Sequence, residues 1–221
     1  MHDRSSVSPT AESTSSPITC VFCQQTSINP YILKETPHFR LVTDHAPLVE
    51  GHILIIPKTH YACYGDVPAS LDTELFALKH EAQRFLQQYY DTTVFWEHGV
   101  FHQTVFHAHL HCFPFGTLTQ SQTDLCQRLS AEVVQSQDEI RAWYVSRGYY
   151  FYLEPGAAYL FAPQDETYGR VIHDIFWTKV SARTQQQAWR STQQRRQEAG
   201  PWIASTFAKW REFERQEDRH E

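Results

Sequence analysis

Val105-Phe106-His107-Ala108-His109-Leu110-His111-Cys112-Phe113 carries the densest chemistry in the chain. Read as a strand, its side chains alternate between faces with period two. His107, His109 and His111 then share one face, and Ala108, Leu110 and Cys112 turn toward a core. Three imidazoles side by side are costly to hide unless each has a polar partner or a metal. Alternation alone leaves two readings open, a built site or a solvated patch of histidines that scavenges metal.

Upstream, Gly51-His52-Ile53-Leu54-Ile55-Ile56-Pro57-Lys58-Thr59-His60 adds two histidines, one at each end of an apolar, β-branched run. Bounded by Gly51 and Pro57, residues 52–56 read as a buried strand. Residues 39–43 are a second strand, and 44–51, with Pro47 and Gly51, a loop. Residues 70–90 place Leu71, Leu75, Leu78, Ala82, Phe85 and Leu86 at helical spacing, with Ser70 as the expected N-cap. Residues 92–96 are another strand. Downstream of Gly116, residues 123–146 read as one helix. Residues 149–154 and 157–162 form a hairpin across Pro155-Gly156. Residues 168–180 are helical, as are 185–217 with a break at Gly200-Pro201. Trp177, Trp189, Trp202 and Trp210 read as packing anchors.

The 221 residues are 41% hydrophobic and 20% charged, with a net charge of -6. That is globular composition with no basic field, which excludes a broad nucleic-acid surface. No apolar run approaches the ~18 residues that span a membrane. Residues 1–17 are Ser/Thr-rich without an apolar stretch and read as a flexible tail, not a secretory signal. Five cysteines, an odd number, argue against a disulfide framework and for a reducing, cytoplasmic setting. Cys20 and Cys23 form a single Cys-x-x-Cys pair, which alone fits a redox pair as well as a metal site.

The run from His107 to Phe113 resembles the histidine-triad (HIT) family motif, in which three histidines alternate with apolar residues, and matches it at every position. The strand from Gly51 to His60 is similar to the family's second hallmark. The resemblance covers roughly residues 18–115. It implies an α+β fold, a HIT-like antiparallel sheet with packed helices over 18–117; beyond it, residues 118–221 read from their own pattern as a mostly helical C-terminal extension carrying the β-hairpin. It also implies a hydrolase or nucleotidyl transferase. His109 would be the nucleophile, since a neutral imidazole attacks phosphorus well and leaves readily. His111 would meet the phosphoryl oxygens, and His52 would position His109 or the phosphate. Asp44 would accept the ribose hydroxyls, Gln103 and Thr104 would cradle the phosphate or leaving group, and Glu97 occupies the place of a substrate-contacting Asn. In many relatives that open with Cys-x-x-Cys the pair belongs to a structural zinc site. Here its ligands would be Cys20, Cys23, His60 and His107. A homodimer acting on a phosphoramidate or dinucleoside polyphosphate, with AMP as product, completes the expectation.

Two departures stand out. The loop Trp96-Glu97-His98-Gly99-Val100-Phe101-His102 keeps one glycine where the family has several, and His98 reads as a surface residue. The last hundred residues have no counterpart in the shortest relatives. Two rival readings follow, a nucleotide-binding sensor without turnover and a zinc-stabilised interaction module.

Overall fold

Alternating apolar segments assemble one antiparallel sheet in a computed structural model that describes residues 19–219. The expected tail, residues 1–17, lies outside the described residues. The strands are β1 (Ile32–Glu35), β2 (Phe39–Thr43), β3 (Ile53–Pro57), β4 (Val94–Glu97), β5 (Leu110–Phe113), β6 (Glu132–Val134), β7 (Phe151–Glu154) and β8 (Ala158–Phe161). They run in the order β1-β2-β3-β5-β4-β7-β8-β6. The hairpin β7–β8 therefore continues the sheet through β4, with Trp96 opposite Leu153. The C-terminal hairpin and the triad strand β5 share one sheet.

The pleat sorts each strand's residues between two faces. Phe39, Leu41, Ile53, Ile55, Phe95 and Leu110 fill one face with Cys112. Past a one-turn helix α1 (Gln25–Ile28), the 18-residue helix α2 (Asp72–Tyr89) covers this face with Leu75, Leu78, Ala82 and Phe85. Trp210 and Phe213 of the last helix, Gly200–Glu217, pack onto Phe85 from outside. On the opposite face, Val94, Trp96, Phe113, Phe151 and Leu153 pack under Val171, Ile175, Phe176 and Val180. The last four lie on a continuous helical rod, Asp165–Val171, Ile172–Trp177 and Thr178–Thr184, whose middle piece is π-helical. At the other end of this face, Phe22, Ile28, Val42, Leu54 and Ile56 form a smaller core.

The structure corrects four expectations. Residues 185–191, expected to be helical, lie between helices, and Gly200-Pro201 opens the last helix where a break was expected. The strand expected over 105–113 starts only at Leu110. Before it, His107 N–H folds back to Val105 O, and Ala108 N–H donates to Tyr61 O, so these amides are used outside the ladder. The helix expected over 123–146 is two, Gln120–Arg128 and Gln137–Arg147, with β6 between. Ser130 at φ +57° breaks the first, and Ser136 caps the second by accepting from Glu139 N–H. Ser70 does not cap α2. It lies in a 3₁₀ turn, Ala69–Leu71, and no side chain caps the helix start.

Candidate active site

The face of the sheet left open between the small core and the helical rod is a cleft of about 440 Å³, within the range of small-molecule sites. Asp44, His52, His98, Thr104, His109 and His111 line it. Strand alternation accounts for much of this. His111 lies on β5 between Leu54 of β3 and Trp96 of β4. Its neighbours Leu110 and Cys112 point to the other face.

The hydrogen bonds assign the tautomers. His109 Nδ1 lies 2.6 Å from His107 O. A carbonyl only accepts, so Nδ1 carries the proton and Nε2 keeps a free lone pair. Gln103 Nε2 donates to the same carbonyl at 2.9 Å, fixing the peptide that holds the ring. A second chain runs alongside. Leu48 N–H points to His52 Nδ1 at 3.4 Å, so His52 Nε2 is the protonated nitrogen and donates to His111 Nδ1 at 2.9 Å. His111 Nε2 then holds a proton and is buried without a partner. A buried orphan donor at this place is a ready site for an anionic oxygen.

Burial keeps these rings neutral. It pushes His52 down to about 4, against a weaker upward pull from Asp44. Burial lowers His98 to about 3 and depresses His111 strongly. His109 is also lowered by burial, with its bond to the His107 carbonyl and the charge of Asp44 opposing.

At the adjoining corner, ligand atoms of Cys20, Cys23, His60 and His107 all lie within 4.8 Å of one another. Cys20 Sγ and Cys23 Sγ are each 3.4 Å from His107 Nδ1, and Cys23 Sγ is 3.3 Å from His60 Nδ1. A tetrahedral zinc with two thiolates and two imidazoles sets such S···N pairs about 3.6 Å apart, so the donor set fits that ion. His107 Nε2 donates to Pro57 O at 2.8 Å, which frees Nδ1 for a metal and fixes the ring. Burial and the facing Cys20 push the Cys23 thiol up to about 11, so Cys23 stays a thiol until a cation lies beside it.

Asp44 Oδ1 accepts Ala46 N–H at 2.6 Å, and Oδ2 faces His52. Its carboxylate thus lies beside the histidine chain at one end of the cleft. Thr104 is exposed on the cleft wall, whereas Gln103 is buried beneath it. Glu97 is not in the cleft. Alternation along β4 sends it to the α2 face beside Phe95, where it accepts from Tyr64 N–H at 2.7 Å and Tyr150 O–H at 2.6 Å. Burial raises its carboxyl to about 7 despite both bonds. One residue on, His98 returns to the cleft, and the surface reading of it is corrected. Its ring is 6.3 Å from His109 and 5.7 Å from His111. The single glycine of this loop, Gly99 (φ +52°), lies against Tyr150, where a Cβ would come within 2.4 Å of the ring.

The sequence reading did not place Tyr168, which lies against His98, or Arg195 at the site, and took the lining Trp189 for a packing anchor. They come from the C-terminal region, more than fifty residues beyond the triad. Of the four tryptophans, Trp210 is a buried anchor, while Trp189 is 42% exposed at the cleft.

A family model described as the HIT domain matches residues 25–117. The chain is 33% identical over 99 residues to a Saccharomyces cerevisiae protein named adenosine 5'-monophosphoramidase HNT1, across 43% of this chain and 61% of the relative's length. It is 33% identical over 104 residues to the uncharacterized HIT-like protein MG132 of Mycoplasma genitalium, across 43% of this chain and 72% of that protein. Among solved structures it is similar to a histidine triad nucleotide-binding protein from Candida albicans, with 27% identity, TM-score 0.38, and coverage of 42% of this chain and 73% of that one. It is also similar to a zinc-bound histidine triad family protein from Mycobacterium smegmatis, with 26% identity, TM-score 0.40, and coverage of 59% and 96%.

Proposed function

The chain belongs to the HIT family, and from that premise we propose that it releases a nucleoside monophosphate from a phosphorus-linked leaving group through a nucleotidyl-His109 intermediate. The observation that carries this reading is the pairing of His109 Nδ1 with the His107 carbonyl, which leaves Nε2 as an unprotonated nucleophile at the cleft. Nε2 attacks the α-phosphorus, and the bond to the leaving group breaks. Water then attacks the same phosphorus, the P–N bond to His109 breaks, and the monophosphate leaves. His111 Nε2–H donates to a phosphoryl oxygen in both steps, with its tautomer held by His52. Asp44 accepts from the ribose hydroxyls, and Thr104 contacts the phosphate or leaving group. AMP is the product we favour, supported by the name of the yeast relative. The substrate is a nucleoside phosphoramidate or a dinucleoside polyphosphate.

Cys20, Cys23, His60 and His107 would hold a structural zinc, whose four protein ligands leave no open position for substrate. It would tie the segment around Cys20 to the residues that aim His109. The reading includes a homodimer. Because β7 occupies the free side of β4, a second copy that extends the sheet must use β1 or β6. It also includes a cytoplasmic setting, in keeping with five unpaired cysteines. Among the described residues no helix is long and apolar enough to cross a membrane.

The test is AMP release, followed by chromatography, from an adenosine phosphoramidate and from a diadenosine polyphosphate. Release by the protein and none by His109→Ala is expected. Equal release by both would overturn the nucleophile assignment.

A further inference from the structure

Among the described residues lining the cleft, the only formal charges are Asp44 and Arg195. The hydrogen-bond chain keeps His52 and His111 in neutral tautomers, so they offer dipoles, not charge. A phosphate entering without Arg195 would meet a cleft whose one fixed charge is a carboxylate. Arg195 lies far outside the residues that match the HIT domain. It stands on a short helix, Thr192–Glu198, that leans on the loop carrying Asp44.

The guanidinium is held in place before any ligand arrives. Nε donates to Ala46 O at 3.0 Å, Nη1 to Arg190 O at 2.7 Å, and Nη2 to Thr192 Oγ1 at 3.3 Å. Of its five N–H groups, two remain free. Ala46 is also the residue whose N–H goes to Asp44 Oδ1, so Asp44 and Arg195 grip the two sides of one residue. The next residue, Arg196, donates to His45 Nε2 at 2.8 Å and clips the helix to the same loop. A fixed guanidinium with spare donors at a cleft wall suits a phosphate oxygen better than a flexible lysine would.

We propose that Arg195 is a substrate-binding residue, which holds the negative charge of the nucleotide's phosphate and makes the C-terminal region part of the active site. This rests on the nucleotide reading above. It assigns the phosphate's cation to a residue that the family match does not contain.

The experiment compares AMP with adenosine by calorimetry on the full chain, since the two ligands differ only in the phosphate. Arg195→Gln keeps a polar, uncharged side chain with N–H donors but removes the charge, and Arg195→Lys keeps the charge. In Arg195→Gln, AMP affinity falls at least tenfold and adenosine affinity stays within twofold. In Arg195→Lys, AMP affinity recovers in part, above that of Arg195→Gln, because the charge is kept while the anchored geometry is lost. The proposal fails if Arg195→Gln weakens AMP and adenosine equally, because Arg195 then only holds the Asp44 loop. It also fails if AMP affinity is unchanged, with the nucleotide reading intact. If the unsubstituted protein binds neither ligand, both readings fall together.

Discussion

His107 and His109 are two residues apart and both buried, yet they serve different regions of the molecule. In the thiol corner, His107 gives its Nε2 proton to Pro57 O and turns Nδ1 to Cys20 and Cys23. In the cleft, His109 donates its Nδ1 proton to His107 O and leaves Nε2 unprotonated. The carbonyl that each ring meets decides which nitrogen is left over. On the function proposed above, one ring holds structure and the other reacts, and the peptide of His107 joins the two.

The sharpest way to break this division is to remove one side and watch the other. His109→Ala should lower AMP release by on the order of 10⁴-fold or more. It should leave the metal content of the thiol corner unchanged, as read by elemental analysis. Cys23→Ser should do the reverse. Bound zinc should fall from one per chain toward none, and unfolding free energy should drop by about 4 kcal/mol or more in denaturant titrations. A Cys23→Ser protein with full stability would show that the corner is not a metal site.

The C-terminal region offers a smaller test of how far the cleft depends on its cover. Phe176 packs edge-on against Trp96, Phe113 and Phe115. Phe176→Ala should cost about 4 kcal/mol, near the value for any large core aromatic. Loss of under about 1 kcal/mol would mean that the helical rod is an appendage on the sheet and not its second wall.

Glu97 tests the opposite face. Its folded carboxyl titrates at about 7, above the ordinary 4.5, so the folded state binds the proton more tightly. Its contribution to stability is present in full at and below about 4.5 and is lost as pH rises to about 7. The amount is roughly 3 kcal/mol. Glu97→Gln should flatten this slope in denaturant titrations across that window and change AMP release little. A slope that persists would move the titration elsewhere. The smallest effect is expected from Thr104→Ala, less than about tenfold in kcat/KM, since the side chain is exposed and the neighbouring Gln103 does the fixing.

Much of this arrangement was legible before the structure, for physical reasons that can be named. Strand β2 coincides with the expected 39–43, and the hairpin around Pro155-Gly156 lies where its turn residues put it, because those signals are local. The triad strand was read too long because the sequence alternation persists through residues whose backbone bends out of the ladder. Its amides bond to Val105 and Tyr61, which no pattern reveals. The helix over 123–146 was misread for a related reason. Apolar spacing runs on across Ser130, where the backbone reverses. Glu97 was assigned by its position relative to a motif, although strand parity already set it opposite Trp96 and His98. The same parity, applied there, would have found His98. Tyr168 and Arg195 reach the cleft from elements distant in sequence, and only the packing of those elements on the sheet brings them in.

The central claim is that His109 carries the nucleotide between two displacements. Intact-protein mass spectrometry after acid quenching, in the first turnovers with an adenosine phosphoramidate, tests it most directly. The account predicts a gain of one adenylyl group per chain, mapped to His109 and absent in His109→Ala. Turnover with no adduct at any time, or an adduct that His109→Ala still forms, would contradict it.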